Sequence, residues 1–107
     1  MQVTTGKAKG RRLYSVPGDG TRPITDRVKQ AVFNIIADDV RDSAWLDLFA
    51  GTGAVGIEAL SRGAKRVVFN DKESVAIKTI QTNLKQVGLE ASASLSRLDA
   101  FALLAGR

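Results

Sequence analysis

Residues 47–56 read DLFAGTGAVG, with glycines at 51, 53 and 56 between an apolar run, AWLDLFA, and an apolar helix candidate, VGIEALSRGA. A short buried strand that ends in a glycine turn and feeds straight into a helix is the opening unit of a parallel α/β sheet. The segments that follow continue the alternation. RVVFND, β-branched and aromatic, is a second strand, and KESVAIKTIQTNLKQVG places Ile77, Ile80, Leu84 and Val87 on one stripe with Gly88 as its C-terminal stop. ASASLSRLD is a weaker third strand, and AFALLAGR begins another helix.

Upstream, Val28, Ala31, Val32, Ile35 and Ile36 recur at helical spacing, and Thr25 is placed as an N-cap just after Pro23. This predicts a helix from about Asp26 to Ala37, followed by an acidic turn, DDVRDS. The order is a helix and then β-α-β-α-β, the first half of a doubly wound, Rossmann-like sheet over residues 25–107. Residues 1–24 form a basic N-terminal arm, where Gly6, Gly10, Gly18, Gly20 and Pro17 punctuate short β-type runs and suit a small hairpin or an extended arm.

In an open parallel sheet the ligand lies beyond the carboxyl ends of the strands. Asp47 ends the first strand and Asp71 the second, twenty residues after Gly51, a spacing that suits a carboxylate accepting ribose hydroxyls. A pyrophosphate on a helix N-terminus is attracted by free amides, and a carboxylate at the strand end would repel it. S-adenosylmethionine has no phosphate and carries an ammonium and a sulfonium, both of which Asp47 would help to hold. The loop glycines then let the backbone approach the methionine part closely. A nicotinamide cofactor is the alternative for the same glycine pattern. Asp99, after the third strand, fits a further contact near the adenine or an ordinary helix N-cap.

The chain has no cysteine and no histidine, which removes disulfides, thiolate nucleophiles, Cys/His zinc sites and imidazole bases. The scattered acids show no EF-hand spacing, so no metal site is expected. No apolar run approaches the roughly 18–20 residues needed to cross a bilayer, and the N-terminus lacks a signal-type segment, which predicts a cytoplasmic protein. The net charge of +5 lies wholly in residues 1–29, with seven basic and two acidic residues, whereas residues 30–107 hold nine of each. Such an asymmetry is that of a phosphate-facing arm or of a solvated surface.

With GKAKGRRL, GDGTRPITDRVKQAVFNII, DLFAGTGAVGIEALSRGA and VVFNDKE in view, the chain resembles the bacterial RsmD family, methyltransferases that modify a guanine N2 position in small-subunit ribosomal RNA. The likeness covers essentially the whole chain. It implies a cofactor loop of Asp47, Ala50, Gly51, Thr52, Gly53 and Gly56, with Asp71 on the ribose and Asp99 and Ala100 flanking the adenine of S-adenosylmethionine. It also implies that Lys7, Lys9, Arg11 and Arg12 meet the phosphates of 16S ribosomal RNA or of the assembling small subunit, with Arg22 and Arg27 closer to the site. Two positions depart from the family pattern: Asn70 stands where an apolar residue is expected, and Asp71 replaces the more usual glutamate.

The family's catalytic tetrapeptide, Asn/Asp-Pro-Pro-Tyr/Phe after a fourth strand, has no counterpart, because the only prolines are Pro17 and Pro23. The resemblance therefore implies the N-terminal portion of such an enzyme, with no catalytic residue among these 107 and no turnover of its own. A half-sheet would also leave the edge of the first strand open to self-association. A non-catalytic RNA-binding module and a methyltransferase for another nucleic acid are the competing readings.

Overall fold

The computed structural model describes residues 1–17, 25–48 and 50–99. Thr25 starts helix α1 (Asp26–Ile35), its hydroxyl accepting the Val28 N–H at 3.2 Å, with Asp26 in the first turn where the helix dipole favours a carboxylate. The expected acidic turn is partly helical instead: a four-residue helix α2 (Ala37–Val40) follows α1 after a break at Ile36. Then come β1 (Ala44–Asp47), α3 (Ala54–Ser61), β2 (Arg66–Asn70), α4 (Ser74–Val87), a 3₁₀ turn (Glu90–Ser92) and β3 (Ala93–Ser96). The helix expected after Asp99 lies outside the described residues.

The three strands are parallel in the order β1-β2-β3, with Trp45 opposite Val67 and Val68 opposite Ser94. Each pair of neighbours is joined through a helix, the arrangement of half a Rossmann-like sheet. β1 is shorter than the apolar run suggested, because the chain already turns at Leu48. Among the described residues it pairs with β2 alone and so forms an edge.

Helix α4 buries the stripe its periodicity marks: Ile77, Ile80, Leu84 and Val87 all lie in the core. Its end is a Schellman turn in which Gly88, at φ 74°, lets the Leu89 N–H reach back to the Leu84 carbonyl at 3.0 Å. Helix α1 does the opposite. Val28, Val32 and Ile35 face solvent, Ile35 at 84% exposure, while Lys29 and Phe33 are each 1% exposed. The reason is what lies beneath. The Lys29 ammonium finds three acceptors, the Gln2 carbonyl at 2.8 Å, Glu58 Oε1 at 3.2 Å and Asp26 Oδ1 at 3.3 Å. Phe33 stacks on Trp45 with ring centroids 5.5 Å apart and carries the Arg62 guanidinium 5.0 Å above its own ring.

The N-terminal residues do form a hairpin, bridged at Gln2 and Arg12, with the Val3 N–H donating to Arg11 at 2.9 Å and the Leu13 N–H to Met1 at 3.0 Å. It is not a projecting arm. Val3, Ala8 and Leu13 belong to the same core cluster as Ile57, Leu60 and Ile80. At its turn Gly6 has φ 90°, and a Cβ there would come within 1.9 Å of the Ser61 carbonyl oxygen, so only glycine lets the turn sit on α3.

Candidate functional site

The glycine loop leaves the end of β1 at Asp47 and enters α3 at Gly53, its N-cap, with Gly51 and Gly53 at positive φ. Several hydrogen bonds from its backbone N–H groups shape it. The Ala50 N–H donates to the Asn70 carbonyl at 2.9 Å, the Gly51 N–H to Asp71 Oδ2 at 3.0 Å, and the Gly53 N–H to the Ala50 carbonyl at 2.8 Å. Gly56 serves packing: a Cβ there would meet the Phe69 ring at 2.3 Å, so its absence sets how closely α3 lies on β2. Among the described residues, leaving out its two chain neighbours, no atom lies within 4 Å of where a Cβ on Gly51 would stand, so the loop backbone there faces open space.

Asp71 follows β2 directly, and its own N–H donates to the Ser96 carbonyl at 3.1 Å. Besides Gly51, its carboxylate accepts the Glu73 N–H at 3.0 Å through Oδ1. The acid thus fastens the glycine loop to the start of α4, and each oxygen keeps a lone pair for another donor. Asp47 is half-buried at the end of β1, and Asp99 is exposed after β3. Both strand-end acids, Asp47 and Asp71, stand with the loop at the same end of the sheet. Ala100 lies outside the described residues.

Two buried asparagines complete the loop's support. Asn70 donates from Nδ2 to the Leu48 and Leu98 carbonyls at 3.0 and 2.9 Å and accepts the Leu98 N–H at 3.1 Å. An apolar residue there would leave those strand-end groups without the bonds Asn70 makes, which accounts for the departure from the expected type. Asn83 reaches from α4 to the Thr52 carbonyl at 2.8 Å. The sequence reading passed over Asn83 although it sits among Ile80, Leu84 and Val87; a polar residue inside an apolar stripe is the sign of a buried partner.

Glu58 was missed in the same way, as a lone acid in VGIEAL. It is fully buried and accepts the Thr4 N–H at 2.9 Å, the Thr4 hydroxyl at 2.8 Å and the Thr5 N–H at 3.2 Å. Arg62 Nε donates at 2.8 Å, and Lys29 lies 3.2 Å away. Burial pushes the Glu58 carboxyl up, but the Thr4 N–H, Arg62, the Thr4 hydroxyl and the Lys29 charge together outweigh it and hold the group below its ordinary range. Lys29, counted in the sequence as part of a surface charge excess, is therefore an internal partner.

A protein-family model described as Conserved hypothetical protein 95 matches residues 1–106. The chain belongs to this family, that of RsmD. Among its relatives, YlbH of Bacillus subtilis, whose name gives rRNA methyltransferase as a suggested activity, is 47% identical over 94% of this chain and 54% of its own length. The ribosomal RNA small subunit methyltransferase D of Haemophilus influenzae is 38% identical over 79% of the chain and 44% of its own length. The solved structure of Escherichia coli yhhF, assigned as a methyltransferase, superposes with a TM-score of 0.84 at 35% identity, covering 98% of this chain and 56% of that one. The chain spans about half the length of the curated relatives it matches.

Of the RNA-facing residues that the RsmD resemblance implies, Lys7, Lys9, Arg11, Arg12 and Arg27 are exposed. The Arg11 guanidinium donates to the Gln86 carbonyl at 3.3 Å. Arg22 lies outside the described residues. The Lys7 N–H is bonded to the carbonyl of Ser61, the last residue of α3, whereas the glycine loop stands at the first turn of that eight-residue helix. The turn of the hairpin thus lies about 12 Å along α3 from the loop at 1.5 Å per residue. Among the described arm residues, those that reach the loop are Met1, whose sulfur lies 3.8 Å from Thr52 Oγ1, and Tyr14, bonded to the side chain that also holds Thr52.

Proposed function

We propose that this chain carries the S-adenosylmethionine-binding half of a methyltransferase acting on guanine N2 in small-subunit ribosomal RNA, with residues 1–24 as its RNA-facing arm and 25–107 as its cofactor domain. The observation that carries the reading is the Asp71 carboxylate fastened to the Gly51 N–H at 3.0 Å, with Asp47 at the end of the adjacent strand. Within a methyltransferase family, that pairing of strand-end acids with a glycine loop suits a ribose and a cationic tail, and disfavours a pyrophosphate.

The residues present fit the cofactor. Open space above Gly51 admits the methionine part, Asp71 has lone pairs left for ribose hydroxyls, and Asp47 offers negative charge to an ammonium or sulfonium. Bound there, S-adenosylmethionine supplies an electrophilic methyl group. The chain's own contribution is to hold and orient it, and the exposed cations of the arm attract RNA phosphates. Asp99 and Ala100 are assigned to the adenine side. No residue of this chain is assigned to receive the proton lost by the guanine amine, so these 107 residues alone are expected to turn nothing over, and to bind cofactor weakly or not at all.

A protein that acts on ribosomal RNA would work in the cytoplasm, and that location belongs to the proposal. Among the described residues no helix is long and apolar enough to cross a membrane. Parallel calorimetric titrations with S-adenosylhomocysteine and NADH test the proposal. Binding of the first and not the second is the expected result, and NADH binding would replace it with an oxidoreductase reading. Ribosomal RNA binding that falls steeply with salt, without affinity for either cofactor, would favour an RNA-binding module.

A further inference from the structure

We infer that Asn83 is a positioning residue that couples the basic arm to the glycine loop, so that a cofactor held on the loop also fixes the arm. The inference rests on the cofactor reading above. Asn83 is 0% exposed in α4, and both ends of its side-chain amide are used. Oδ1 accepts the Tyr14 N–H at 2.6 Å, and Nδ2 donates to the Tyr14 carbonyl at 3.0 Å and to the Thr52 carbonyl at 2.8 Å. Tyr14 stands one residue beyond the last paired position of the hairpin, where the Leu13 N–H meets Met1. Its main-chain donor and acceptor would next need a partner strand, and the Asn83 amide supplies both bonds in its place.

The same nitrogen fixes the loop. Thr52 C=O and Gly53 N–H belong to one peptide plane, and that plane is bonded at both ends, to Asn83 Nδ2 at 2.8 Å and to the Ala50 carbonyl at 2.8 Å. Gly53 has φ 82° and no side chain to restrict it, so without Asn83 the plane can rotate about its remaining bond. Two carbonyls that share one buried amide cannot shift independently. Met1 touching Thr52 Oγ1 at 3.8 Å gives the arm a second contact with the same loop residue. Coupling of this kind is reciprocal: a ligand that orders the loop orders Tyr14, and one that orders the arm steadies the loop.

The test uses the full-length protein, S-adenosylhomocysteine as ligand, calorimetry for affinity and amide hydrogen exchange for order. In the wild type the ligand slows exchange across residues 50–54 and also at Leu13 and Tyr14. Asn83→Ala weakens ligand binding by about tenfold, and the ligand then protects the loop but not the arm. Asn83→Asp keeps the acceptor for the Tyr14 N–H and loses both N–H donors, so Tyr14 stays protected while affinity still falls. Leu84→Ala, destabilising from the same helix, leaves affinity and arm protection in place, which a merely structural role for Asn83 would not allow. The inference is overturned if wild-type arm exchange ignores the ligand, or if either folded Asn83 variant binds within about twofold of wild type. A wild-type protein that binds no S-adenosylhomocysteine overturns the cofactor reading itself, and this inference with it.

Discussion

Of the buried polar centres that fasten the hairpin to the domain among the described residues, those at Glu58 and Asn83 differ in kind. At Glu58 the fastening is ionic: one carboxylate gathers Thr4, Thr5, Arg62 and Lys29 and joins the arm to α1 and α3. At Asn83 it is neutral, one amide joining the arm to α4 and to the glycine loop. The ionic centre carries a large desolvation cost and depends on every partner being present. The neutral one costs less to bury, is blind to pH, and touches the site. The first supplies stability, and the second transmits position.

The largest effect expected is at the ionic centre. Glu58→Ala strands Lys29 and Arg62 against each other in the interior and costs about 3–5 kcal/mol, read from urea unfolding. S-adenosylhomocysteine affinity, measured where the variant is still folded, should hardly change; a large loss would erase the distinction between the centres. Next, Asn83→Leu leaves the Tyr14 amide and the Thr52 carbonyl without their partner and costs about 1–3 kcal/mol in the same experiment.

Acid separates them further. The Glu58 carboxyl is held below its ordinary range when folded, so the unfolded chain takes up its proton first as pH falls. The stability it contributes is therefore complete above the ordinary glutamate range and is lost on descending through that range towards the folded value. The melting temperature of the wild type should drop over that window, Glu58→Gln should flatten the drop, and Asn83→Leu should leave its slope unchanged. The smallest effect lies on the outward face of α1, where Ile35→Glu should move stability by no more than about 0.5 kcal/mol. If the chain self-associates in sedimentation and Ile35→Glu abolishes it, the outward face of α1 rather than the edge of β1 is the surface that associates.

The sheet was legible because its marks are local: a glycine turn between strand and helix, a stripe at Ile77, Ile80, Leu84 and Val87, and Gly88 to stop α4. The two strand-end acids were legible for the same reason, since spacing along the chain sets their place at the strand ends. Helix α1 was legible as a helix, but its spacing did not mark the buried face. Its aliphatic stripe is real, but which face turns inward was decided by Glu58 and Trp45, residues distant in sequence that offered Lys29 a counter-charge and Phe33 a ring to stack on. The same long-range logic hid Asn70 and Asn83, whose roles exist only once strand ends and arm have been brought to them.

The arm's fastenings have a consequence for the order in which the chain can be assembled. Thr4 and Glu58 are 54 residues apart, Tyr14 and Asn83 69, and Arg11 and Gln86 75. The hairpin is synthesised before α3 and α4 and therefore has nowhere to settle until almost the last strand of the described sheet has been made, and ring closures of this length are slow. During synthesis Val3, Ala8 and Leu13 stay unburied until α3 and α4 are available, and seating the hairpin is a late event in the maturation of the domain.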